Sequence, residues 1–92
     1  NGLYILDEPE AALSPMRIMP LLVEIDRLRR AGSQFIIATH SPILLTMPDS
    51  EIFEFSGNGI SKVHYKDTEH YQITRNFLEN PEKMLKYLLD QG

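Results

Sequence analysis

The chain has no cysteine, which excludes disulfides and thiolate-held metals. No apolar run approaches the roughly 20 residues of a membrane-spanning helix, and no charged-then-apolar leader precedes a small-residue cleavage site, so a cytoplasmic protein is expected. Glycine is sparse, with five residues at Gly2, Gly32, Gly57, Gly59 and Gly92. None precedes a lysine, so the Gly-x-x-x-x-Gly-Lys-Ser/Thr loop that cradles nucleotide phosphates is absent. Basic charge is also short: nine Lys and Arg against thirteen Asp and Glu leave a net charge of −4. That balance gives no electrostatic case for direct nucleic-acid binding by this segment. No repeat or low-complexity stretch interrupts the chain.

What is present begins with Leu3-Tyr4-Ile5-Leu6-Asp7-Glu8-Pro9. Four consecutive apolar residues suit a strand buried on both faces, as in a parallel sheet, and ligands of such sheets sit beyond the carboxyl ends of the strands. Asp7 and Glu8 fall on that end. Two acids after a strand are by themselves more often a solvated loop. The functional alternative gives them separate tasks: Asp7 holds a Mg²⁺ ion through a water, and Glu8 orients or deprotonates a water attacking a γ-phosphate.

The next segment reads as a helix. Ser14 is a good N-cap, and Pro15 sits at the first helical position, where its missing N–H costs nothing. Ile18, Leu21, Leu22, Ile25 and Leu28 recur at helical spacing, Gly32 supplies a stop, and Pro20 predicts a kink or an irregular first turn. Arg27, Arg29 and Arg30 read as a solvated flank. Gln34 to Thr39 forms a second buried strand that ends at His40-Ser41-Pro42. Strand, helix, strand over this length is a right-handed βαβ crossover with parallel strands. Asp7, Glu8 and His40 therefore converge on one rim, where His40 becomes a candidate donor to a γ-phosphate or to the attacking water.

These segments resemble the ATP-binding-cassette class of P-loop ATPases. Leu3 to Pro9 looks like the Walker B strand with its catalytic glutamate, Glu10 to Pro15 like the D-loop, and Ile36 to Pro42 like the switch-histidine loop. Transporter D-loops usually carry an aspartate where this chain has Ser14. The wording Asp-Glu-Pro-Glu-Ala-Ala-Leu-Ser-Pro is closer to soluble ATPases related to DNA-repair and overcoming-lysogenization-defect proteins. The resemblance implies Asp7 on the Mg²⁺ side, Glu8 as general base, His40 as γ-phosphate switch, ATP as substrate, and a second head domain, in a homodimer, that completes each site. It also implies an α/β fold: the C-terminal part of a P-loop NTPase domain, with a parallel βαβ core followed by a hairpin and C-terminal helices. With no phosphate loop, no Gly-Gly signature motif and Asn1 in first place, residues 1–92 are expected to be one partial domain whose N-terminal half is absent, and to be inactive alone.

Past the switch loop the sequence carries less chemistry. Residues 41–47 fit a short helix ended by Pro48-Asp49, and Glu51 to Phe55, Gly57-Asn58-Gly59 and Ile60 to Tyr65 fit an antiparallel hairpin. Asp67 or Thr68 caps a helix with Ile73, Phe77 and Leu78 facing inward. Asn80-Pro81-Glu82 starts another, with Met84, Leu85, Leu88 and Leu89 packing. Tyr71, Phe77 and Tyr87 read as core or domain-contact aromatics. His64, Asp67, Glu69 and His70 lack the i, i+4 pairing of a two-histidine metal site, and the capping reading is preferred.

The favoured function is Mg²⁺-dependent ATP hydrolysis by a soluble ATPase coupled to DNA maintenance or defence. A transporter ATPase subunit and a non-catalytic interaction module that keeps the fold are the alternatives. Nucleic acid remains a partner only through residues outside this segment.

Overall fold

Ser14 and Pro15 start the longest element, and the computed structural model, which describes residues 2–90, shows how they do so. Asn1 and Gly92 lie outside the described residues. The Ser14 side chain accepts a hydrogen bond from the Arg17 backbone N–H at 3.4 Å, and helix α1 runs from Pro15 to Arg30 without interruption across Pro20. The chain then turns at Gly32, whose φ of +101° lies in the left-handed region open to a residue without Cβ. Ile18 and Ile25 of α1 are buried, and Leu21, Leu22 and Leu28 are half-buried, so the expected apolar stripe is the packed face.

Strands β1 (Leu3–Asp7) and β2 (Gln34–Ala38) flank this helix and pair in parallel, with Leu3 opposite Gln34 and Asp7 opposite Ala38. The strand-helix-strand crossover is therefore present, with β2 ending one residue earlier than expected. Tyr4 and Phe35 are register partners, and their rings stack at 4.9 Å. Alternation places Tyr4, Leu6, Phe35 and Ile37 on the better covered face. The other face is bare, with Leu3 58%, Ile5 72% and Ile36 60% exposed. Burial of both faces does not hold within this chain, because a two-stranded sheet with one helix can cover only one side. The segment after β2 closes into a short 3-10 turn, Leu44–Thr46, with Leu44 buried.

Residues 1–50 form one compact unit and residues 51–92 a second. In the second unit, β3 (Ile52–Ser56) and β4 (Gly59–Val63) pair antiparallel around Gly57-Asn58. Gly59 has a φ of +112°, which suits the tight connection. The His64 Nδ1 accepts from the Lys66 N–H, opening a 3-10 turn over Tyr65–Asp67. Thr68, buried, caps helix α2 (Glu69–Glu79) by accepting from the Tyr71 N–H, and the Glu54 carboxylate of β3 accepts from the Glu69 N–H at 2.8 Å. Both interactions satisfy donors that a helix start leaves open. Asn80 caps helix α3 (Pro81–Leu89) in the same way, through the Lys83 N–H.

The inward faces expected for these helices are only partly realised. Phe77 and Met84 are half-buried, and Tyr71 stacks on Tyr65 at 5.5 Å, but Ile73, Leu78, Leu85, Tyr87, Leu88 and Leu89 are exposed. An apolar stripe is a demand for a partner surface, and a single hairpin with two short helices offers too little of it. The chain is thus a mixed α/β structure with one parallel and one antiparallel sheet. Among the described residues, no helix is long and apolar enough to cross a membrane.

Candidate functional site

The parallel register brings the carboxyl ends of β1 and β2 to one edge. One further backbone hydrogen bond extends the ladder, from the Glu8 N–H to the Ala38 carbonyl at 2.7 Å. Immediately after this rung the backbone breaks direction: Glu8 has a φ of +47°. A non-glycine residue rarely occupies the left-handed region, and doing so costs about 1–3 kcal/mol. The conformation is held from both sides, by the bond to Ala38 and by the Ala11 N–H donating to the Glu8 carbonyl at 3.0 Å. The next turn is closed by the Leu13 N–H on the Glu10 carbonyl at 2.9 Å, and the chain then enters α1 at Ser14.

On the β2 side, the Thr39 hydroxyl accepts from the Ser41 N–H at 2.9 Å. The buried Ser41 in turn accepts from the Leu44 N–H at 3.3 Å. These short-range bonds fix the loop that carries His40. The His40 Nε2 lies 3.9 Å from the Glu8 Oε1, with both side chains largely exposed. That separation is too long for a direct hydrogen bond and leaves the pair accessible from solvent. The His40 backbone N–H donates to the Glu10 Oε2 at 3.4 Å.

Glu8 and His40 are therefore brought together across the two loops, as the βαβ geometry predicts. Asp7 stands one residue earlier, on the last strand rung and in line with Leu3 and Ile5 on the bare face. Glu10 is the residue that sequence reasoning passed over. Its only signal was a third acid two positions after Glu8, which reads equally well as loop polarity. The left-handed backbone at Glu8 had no sequence signal, since glycine or asparagine is the usual marker.

Among the described residues, no group of three or more His, Cys, Asp or Glu forms a metal cluster. The donor chemistry nevertheless suits Mg²⁺, a hard cation that takes one or two carboxylates and fills its remaining positions with waters and substrate phosphates. Asp7 offers such a carboxylate at an exposed strand end.

No solved structure matches the chain. A stretch of 38 residues is 42% identical to UvrABC system protein A of Paucimonas lemoignei and covers 41% of this chain but only 6% of that protein. Residues 1–46, half of the chain, match the family described as "AAA domain, putative AbiEii toxin, Type IV TA system". Asp7, Glu8, Glu10 and His40 all lie inside that match, and the chain belongs to this family of AAA-type ATPase domains.

Proposed function

We propose that residues 1–92 form the hydrolytic half of a P-loop ATPase domain of the ATP-binding-cassette type, with ATP as substrate. The observation that carries this reading is the Glu8 carboxylate, held on a left-handed backbone beside the His40 imidazole at the shared end of two parallel strands. Glu8 takes the proton of the attacking water, and His40 donates to the γ-phosphate as charge builds on it. Asp7 would hold Mg²⁺, which supplies neutralisation of charge on the phosphates. The phosphate loop and signature motif come from polypeptide outside these residues, so the 92-residue chain alone does not turn over ATP.

A second head domain completes the site in a homodimer. The coupled process is DNA maintenance or defence, a reading supported by the toxin named in the family description. The compartment is the cytoplasm.

The test is Glu8→Gln in the full-length protein, with phosphate release measured beside ATP binding. Turnover is expected to fall about 10²–10⁴-fold, the usual cost of losing a general base, with ATP affinity retained. Unchanged turnover removes Glu8 from the chemistry.

A further inference from the structure

We infer that Glu10 is the positioning residue for His40, a latch between the loop after β1 and the loop after β2. The inference rests on the ATPase reading of the site for its catalytic consequence, but the contact itself does not. Once β2 ends at Ala38, the His40 N–H has no strand rung to donate to. A backbone donor needs an acceptor, and the Glu10 Oε2 supplies one at 3.4 Å from thirty positions away in the chain. With the Glu8 N–H to Ala38 bond, this contact ties the two loops together beyond the sheet.

The Glu10 side chain is not loosely placed. Its Oε1 is buried and has no hydrogen-bond partner among the described residues. A glutamate free to choose would turn that oxygen to water, because an unpartnered buried carboxylate oxygen is costly. The turn closed by the Leu13 N–H on the Glu10 carbonyl fixes where the side chain starts. The side chain then spans to the His40 amide, and its length is what the contact uses. His40 is thereby bracketed, with its backbone on Glu10 and its imidazole 3.9 Å from the Glu8 carboxylate. Moving the backbone moves the ring relative to the base.

Three substitutions in the full-length protein separate reach from charge. Glu10→Gln keeps the reach and an acceptor oxygen but loses the charge, Glu10→Asp keeps the charge but is one methylene short, and Glu10→Ala loses both. Two quantities are read: steady-state ATP hydrolysis, and hydrogen exchange of the segment Thr39 to Ser41 by mass spectrometry. Glu10→Ala and Glu10→Asp are expected to lower kcat about 10- to 100-fold at unchanged KM, as a small misplacement near the chemistry does, and to speed exchange of the segment. Glu10→Gln is expected to restore both. Rescue by Asp but not by Gln overturns the latch in favour of a charge effect, and exchange in Glu10→Ala equal to wild type overturns it outright. If the wild-type protein hydrolyses no ATP, the functional reading fails, and the exchange measurement still decides the latch.

Discussion

Glu8 sits in a backbone conformation that its side chain makes unfavourable, and two backbone hydrogen bonds keep it there. Strain of this kind persists where the surroundings over-determine it, and here it turns the carboxylate out of the strand line toward the partner loop. His40 faces it with its Nε2 3.9 Å from the Glu8 Oε1, near enough for one bound group to touch both. If that group is a γ-phosphate, His40→Ala in the full-length protein should reduce hydrolysis about 10²-fold while ADP affinity stays nearly constant, because ADP lacks the phosphate being sensed. Nucleotide titration beside turnover checks this. Equal loss of ADP and ATP affinity, with turnover per bound ATP unchanged, would make the imidazole structural. Glu8 and His40 were readable as neighbours because the order of elements alone brings the ends of the two parallel strands to one edge. Glu10 was not, since nothing in a local pattern reports that an acid will reach across to a backbone amide in another loop.

At the scale of the element, α1 shows both the strength and the limit of pattern reading. Its start at Ser14-Pro15, its buried Ile18 and Ile25 and its stop near Gly32 follow from spacing and capping chemistry. The arginine flank does more than solvate. Asp26 pairs with Arg29 at 2.7 Å and with Arg30 at 2.9 Å, and Arg29 reaches Asp49 at 3.2 Å. Helical spacing would allow the first two pairs, whereas Asp49 is brought in only by the tertiary fold. Partial burial pushes the Asp26 carboxyl up, but the hydrogen bond and charge of Arg30 and the charge of Arg29 outweigh it and leave it below its ordinary 3.8. The hydrogen bond from Arg27 likewise holds Glu24 below its ordinary 4.5. A lowered carboxyl stabilises the fold fully above its ordinary value, and that stabilisation is lost as pH falls through the lowered one. Acid destabilisation is therefore expected to set in below about pH 4. Asp26→Asn should flatten the pH dependence of the urea midpoint in that window while lowering the midpoint near neutrality. An unchanged pH profile would show that the pairs contribute nothing, as many exposed pairs do.

In the whole molecule, few large apolar side chains among the described residues are buried and many are exposed. Its buried hydrophobic residues among those described are Ile18, Ile25 and Leu44, all in the first unit, while strand residues Leu3, Ile5 and Ile36 and helix residues Leu78, Leu88 and Leu89 face solvent. Contiguous exposed apolar residues and unpaired strand edges favour association with another chain. The isolated 92-residue polypeptide is expected to self-associate at micromolar concentration, and light scattering that returns a well-folded monomer would defeat this. Alternation and helical spacing announced which faces are apolar, but a pattern states only that a face needs covering and not what covers it. The same distinction explains why the order of elements was readable while the degree of burial was not. One consequence of the register concerns length. Asp7 pairs with Ala38 on the last rung, and both loops leave the sheet within one residue of it. The site therefore counts positions from the strands and not from the crossover between them. An insertion in the turn between α1 and β2 leaves every rung where it is, whereas one residue gained or lost inside β2 shifts His40 relative to Glu8 and turns the strand residues beyond it to the opposite face. Chain length can drift in that turn, but Leu3 to Glu8 and Phe35 to His40 form a shared ruler whose divisions cannot change.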